Sequence, residues 1–134
     1  MASIFTKIVN GELPCHKVAE DDKFLAFLDI TPLREGHVLV IPKQEIDYIF
    51  DLDDQILSEL MVFSKGVSKK LRAAIPCSRI GVSVVGLEVP HAHVHLIPID
   101  SVSDMSFANE RASFTQEELA CLLYTSDAAD EHSW

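Results

Sequence analysis

Between Asp53 and Ile75 the chain carries a long amphipathic repeat. Ile56, Leu60, Phe63, Val67 and Leu71 recur at three- or four-residue steps with Leu57, Met61 and Ser64 beside them, while Lys65, Lys69, Lys70 and Arg72 fall mostly on other faces. The spacing predicts a helix over Asp53–Ile75, capped by Asp51 or Asp53, with an acidic first turn that suits the helix dipole and Pro76 as its stop. One helix can bury its stripe only against another layer, and the remaining apolar runs have strand length. They are His16–Ala19, Phe24–Ile30, His37–Pro42, Arg79–Val85 and His91–Ile99, the first two joined by Glu20-Asp21-Asp22 as a hairpin. Ser3 and Gly11 bracket a short helix in which Ile4, Phe5 and Ile8 share a face, and Thr115-Gln-Glu-Glu118 opens a last short helix toward Leu123. The expected fold class is therefore α+β: a five-stranded, mainly antiparallel sheet with one long helix and short terminal helices.

At 134 residues there is material for one domain, taken as 1–123, and too little for two independent cores. The small, acidic stretch 124–134 has no periodicity and reads as disordered and possibly non-native. The net charge of −10 opposes binding to a nucleic-acid polymer, whose affinity comes from neutralising phosphates, but leaves room for a small phosphorylated ligand in a locally favourable pocket. No run is long and apolar enough for a membrane span, and the N-terminal stretch interrupts its apolar residues with Lys7 and Asn10, so a cytoplasmic protein is expected. Three scattered cysteines, Cys15, Cys77 and Cys121, fit reduced thiols.

The chemistry concentrates at residues 91–98, His-Ala-His-Val-His-Leu-Ile-Pro. On a strand His91, His93 and His95 project to one side at steps of roughly 6.5 to 7 Å, and Ala92, Val94 and Leu96 fill the other. His37, just after Gly36, is placed to join the same floor. Three readings compete. The row is a satisfied polar strand face, or a metal site, or a phosphorus-transfer centre in which one neutral imidazole is the nucleophile and its neighbours orient it. Consecutive same-face positions point in parallel and do not converge on an ion, so no metal is expected.

The segment His91–Ile97 fits His-φ-His-φ-His-φ-φ, with φ apolar, at all seven positions, and in this it resembles the histidine triad (HIT) family. Ile4-Phe5-Thr6-Lys7-Ile8 through Leu13-Pro14, Phe27-Leu28-Asp29-Ile30-Thr31-Pro32, Gly36-His37 through Lys43, and Gly86 are similar to its Hint-like branch, the purine nucleoside phosphoramidase type. The resemblance implies a nucleotide hydrolase or transferase that cleaves nucleotidyl-X, where X is an amine or acyl group, through a nucleotidyl-histidine intermediate and releases AMP or GMP. Dinucleoside polyphosphate hydrolysis and nucleotide binding with vestigial activity are the alternatives. It implies His93 as nucleophile, His95 near the bridging atom, and His91 and His37 as holders of the row. It also implies Asp29 on the ribose hydroxyls, Phe5, Ile8, Leu13, Phe27 and Ile30 around a purine base, no cofactor, and a homodimer whose two sheets run on as one.

Departures from the family pattern accompany the match. Gly86-Leu87-Glu88 stands where relatives commonly have Gly-Gln-Ser or Gly-Gln-Thr, and Ile80 aligns with an asparagine that contacts phosphate. Glu88 is expected to point away from the phosphate. Ser3 and Thr6 occupy the places of two cysteines that help hold a structural zinc in some relatives, which also argues against zinc here.

Overall fold

A computed structural model describes residues 2–122; what was expected of Leu123 and of 124–134 lies outside the described residues. The chain runs α1 (Ile4–Val9), β1 (Lys17–Glu20), β2 (Phe24–Leu28), β3 (Val38–Pro42), α2 (Asp54–Ala74), β4 (Arg79–Ser83) and β5 (Val94–Ile99). Short 3₁₀ turns fall at Ile49–Asp51 and Val102–Met105, and residues 116–122 are helical. The five strands form one sheet in the order β1-β2-β3-β5-β4, and every neighbouring pair is antiparallel.

Alternation along the strands divides this sheet into two buried faces. Phe24, Ala26 and Leu28, Val38 and Val40, and Val94 and Leu96 meet the stripe of α2 at Leu60, Val67 and Leu71. Leu25 and Phe27, with Leu39 and Ile41, face the other way and are covered by Phe5 of α1. Burial on both sides explains why β2 and β3 read as continuous apolar runs and not as alternating ones.

The helix ends are capped by local chemistry. Asp53 accepts from the Ile56 N–H at 2.7 Å to start α2, and Ser3 accepts from the Thr6 N–H at 3.0 Å to start α1. Thr115 and Glu118 exchange the two bonds of a capping box at 3.1 and 2.9 Å. Ile4 departs from expectation: α1 has six residues and turns Phe5 to the sheet, leaving Ile4 half exposed.

The strands are shorter than their apolar runs where a competing partner takes the backbone. Thr31 donates its N–H to Asp29 Oδ1, closing a turn after β2. Most consequential for the site, β5 begins at Val94 and not at His91, because the Ala92 N–H goes to the Ile46 carbonyl at 2.7 Å and not to a strand ladder.

Gly36 turns the chain into β3 at φ +86°, and a Cβ there would stand 2.1 Å from Ile75 Cδ1. Gly11 has a similar φ of +80° but open space around it. Gly36→Ala should therefore cost the backbone strain, about 1 to 3 kcal/mol, plus the displacement of Ile75, and Gly11→Ala the strain alone. Urea unfolding of the two variants measures this; equal losses would contradict the packing argument.

Candidate active site: four histidines with assigned protons

His91, His93 and His95 leave the chain on the face opposite α2, and His37 joins them from the turn before β3. All four are at least 94% buried, with exposures of 0, 5, 6 and 1% in that order. Antiparallel register builds the row: Leu39 pairs with His95 and Phe27 with Leu39, so His95 continues the face formed by Phe27 and Leu39.

Main-chain groups decide where each proton sits. The Leu33 N–H donates to His37 Nδ1 at 3.0 Å, so the proton of neutral His37 is on Nε2. That Nε2 lies 2.9 Å from His95 Nδ1, which must accept, so His95 carries its proton on Nε2. His93 Nδ1 lies 2.8 Å from the His91 carbonyl oxygen and must donate to it, leaving the lone pair on Nε2. His91 donates from Nε2 to the Pro42 carbonyl at 2.7 Å, and its Nδ1 accepts from the Ser3 hydroxyl at 2.8 Å. The outcome is an in-plane lone pair at His93 Nε2 beside an N–H at His95 Nε2, with the two rings 4.9 Å apart.

Both rings border a cavity of about 190 Å³, closed by Val85, Gly86, Leu87, Glu88 and Phe107. A larger apolar groove of about 640 Å³ continues from His93 past Tyr48, Phe50, Met61 and Leu87. Burial holds the imidazoles neutral. It pushes His37 down to about 4, partly offset by Asp29, whose Oδ2 is 3.7 Å away, and His95 down to about 3. His91 is lowered for the same reason, against the opposing pull of its bond to Pro42.

Asp29, His37 and His95 are the cluster that comes nearest to a metal-binding set among the described residues. Donor chemistry opposes an ion there. The Leu33 N–H already occupies His37 Nδ1, so the Nε2 that would bind the ion must keep its proton, and Arg111 Nη1 stands 3.7 Å from Asp29 Oδ2.

The remaining expected residues divide. Phe5, Ile8 and Phe27 come together with Leu25, Leu39, Ile41, Val9, Cys15 and Val89, and the Phe5 ring lies 5.1 Å from that of His93. Leu13 and Ile30 lie outside this cluster, and Ile30 is 63% exposed. Asp29 uses Oδ1 to accept from the Thr31 N–H and hydroxyl at 2.8 and 3.2 Å, which leaves Oδ2 for other partners.

The structure locates the residues at which the chain departs from the family pattern. Ile80 pairs with Pro98 and packs on the α2 side, so it is not the residue beside the triad; Ser83 is, paired with His95 and on its face. Cross-strand register, and not distance in sequence from the triad, decides which residue of β4 stands beside His95. Glu88 is exposed and is one of the residues that line the small cavity.

Phe107 and Arg111 were not singled out in the sequence. The segment after β5 is anchored by Arg34 on Asp100 and Asp104, at 3.1 and 2.8 Å, and by the Ala112 N–H on the Pro32 carbonyl. It lays Phe107 4.8 Å from the His95 ring and Arg111 5.5 Å from Phe107. No periodicity marks this stretch, so nothing in the sequence directs either side chain inward.

The HIT-domain family model matches residues 10–102, which include all four histidines. The chain belongs to the HIT family. An uncharacterised HIT-like protein of Borreliella burgdorferi is 41% identical over 102 residues, 71% of this chain and 73% of that protein. The adenosine 5'-monophosphoramidase of Schizosaccharomyces pombe is 39% identical over 103 residues, 73% of this chain and 74% of that one. Among solved structures, a HIT-like protein of Bartonella henselae superposes with a TM-score of 0.82 at 29% identity, covering 95% of both chains. A zinc-bound histidine triad protein of Mycobacterium smegmatis gives 0.83 at 26%, covering 100% of this chain and 99% of that one. Family membership and homology to phosphoramidases support hydrolase activity on nucleotides for this HIT protein.

The histidines also set a pH dependence. Burial lowers His37, His91 and His95 in the folded chain, whereas they titrate near 6.5 when unfolded, so the unfolded chain binds more protons below that value. Their stabilisation is complete above about pH 6.5 and is lost as pH falls toward the folded values of about 4 and 3. Glu20 and Glu45, both lowered to about 2, contribute only below about 4.5. Urea midpoints should therefore already decline between pH 6.5 and 4.5; a flat profile there would refute the neutral-histidine assignment.

Proposed function

We propose that this HIT protein cleaves nucleotidyl-X, with X an amine or acyl group, and releases a purine nucleoside monophosphate. The observation that carries the reading is the lone pair on His93 Nε2, in a cavity it shares with the Nε2–H of His95. In the proposed reaction His93 Nε2 attacks the α-phosphorus as the P–X bond breaks. The ring becomes cationic, and its Nδ1–H points at the His91 carbonyl, whose partial negative charge stabilises it. His95 Nε2–H donates to the bridging atom of X. Water then displaces His93, so that across both steps its hydroxyl ends on phosphorus and its proton with X.

Asp29 Oδ2 is the acceptor proposed for the ribose hydroxyls, and Phe5, Ile8 and Phe27 are the apolar wall proposed for the base, with Leu13 and Ile30 at its margin. Ser83, beside His95, is proposed as a polar contact to phosphate in place of those absent at Leu87. A homodimer is proposed through α2 and the edge strand β4, where the exposed Met61 shares one groove with Val82 and another with Val84, just past the strand.

His93→Asn should lower AMP release from adenosine phosphoramidate by on the order of a thousandfold or more while AMP still binds. Near wild-type turnover in that variant would refute the nucleophile. Glu88 is proposed to decide between substrates: it lines the cavity, and a carboxylate at that rim would repel the extra charge of a polyphosphate, which favours amine or acyl leaving groups. Glu88→Gln should therefore raise the rate on diadenosine polyphosphates relative to that on the phosphoramidate, more strongly at low salt. Faster wild-type cleavage of the polyphosphate would favour the polyphosphatase reading, and tight AMP binding without turnover would favour a binding protein.

A further inference from the structure

Both ring nitrogens of His91 bond away from His93, one of them into a second polar cluster. Ser3 Oγ, 6% exposed as a residue, donates to His91 Nδ1 at 2.8 Å and accepts from the Thr6 N–H at 3.0 Å. Glu45 Oε1 accepts from the Ser3 N–H at 2.5 Å and from the Thr6 hydroxyl at 2.6 Å, and these bonds hold its carboxyl down to about 2. The Thr6 hydroxyl is itself 3.4 Å from His91 Nδ1. The end of β3 and the loop after it, which carries Glu45, supply the Pro42 and Ile46 carbonyls that take His91 Nε2–H and Ala92 N–H.

We infer that Ser3 and Glu45 are positioning residues for the nucleophile. Glu45 fixes the N-terminal turn of α1, the turn presents a hydroxyl donor to His91 Nδ1, and that donor keeps the His91 proton on Nε2. A ring held at both nitrogens cannot rotate, and its backbone carbonyl, which takes the His93 Nδ1–H, is held with it. This rests on His93 as the nucleophile. Its own content is that the hydrogen-bond polarity at position 3 governs turnover through His91, without contact with substrate.

Ser3 also caps α1, so removing it confuses capping with polarity. Ser3→Asp separates them. Aspartate caps a helix as well as serine does, but it can only accept, so it should draw a second proton onto His91 and make it an imidazolium. Ser3→Asn both caps and donates, and serves as the conservative variant. The expected result for Ser3→Asp is a kcat lower by about tenfold to a hundredfold with KM for adenosine phosphoramidate little changed. Imidazole ¹⁵N–¹H spectra should show His91 as the Nε2–H tautomer in the wild type and as the cation in Ser3→Asp. Ser3→Asn should recover most of the loss.

Wild-type kcat in Ser3→Asp, or an Nδ1–H tautomer of His91 in the wild-type protein, would overturn the inference. If Ser3→Asp does not fold, Glu45→Gln, which keeps an acceptor, against Glu45→Leu, which does not, makes the same comparison: equal kcat would overturn it, and loss only in Glu45→Leu would support it. An inactive wild type, or an active His93→Asn, would instead strike the proposed function and is distinguishable from either result.

Discussion

A single backbone donor organises the chemistry of this molecule. The Leu33 N–H points at His37 Nδ1, and from that one fixed direction the protons of His37 and then His95 follow without further choice. A neutral imidazole has one donor and one acceptor, so a chain of them transmits polarity from end to end. Burial completes the arrangement by keeping the rings uncharged, since a protonated ring would have to give up an acceptor and carry charge in a dry interior.

The fold supplies two independent faces for two tasks. One face of the sheet is spent on α2, and its tightly packed residues, including Val38, Val40, Val94 and Leu60 at 0% exposure, hold the strands rigidly. The other carries the histidines with Phe5 and Phe27 beside them. Because α2 carries the chain from β3 to the edge strand β4 and leaves a place that β5 fills antiparallel to both, His37 and His95, 58 positions apart, become hydrogen-bond partners. The strand order thus creates the site as directly as the residues in it do.

Much of this was legible beforehand. The 3.6-residue stripe of α2 and an aspartate cap at Asp51 or Asp53, of which the fold uses Asp53, follow from local physics, as do the short strands and the period-two histidines. What escaped was whatever depended on partners distant in sequence. The start of β5 is set by the Ile46 carbonyl, Ser83 takes its place through cross-strand register, and Phe107 and Arg111 reach the site because Arg34 anchors a segment with no pattern of its own. Ser3 was legible as a cap. Its second bond, to His91 across 88 positions, was not.

The main-chain character of these contacts has an evolutionary corollary. Of the four groups outside the row that seat its imidazole nitrogens, three, the Leu33 amide and the carbonyls of Pro42 and His91, belong to the peptide backbone, which every amino acid supplies, proline's lack of an amide hydrogen excepted. Protonation geometry is therefore inherited with the path of the chain, and the side chains at positions 33 and 42 can drift widely, within the limits of packing, without disturbing it.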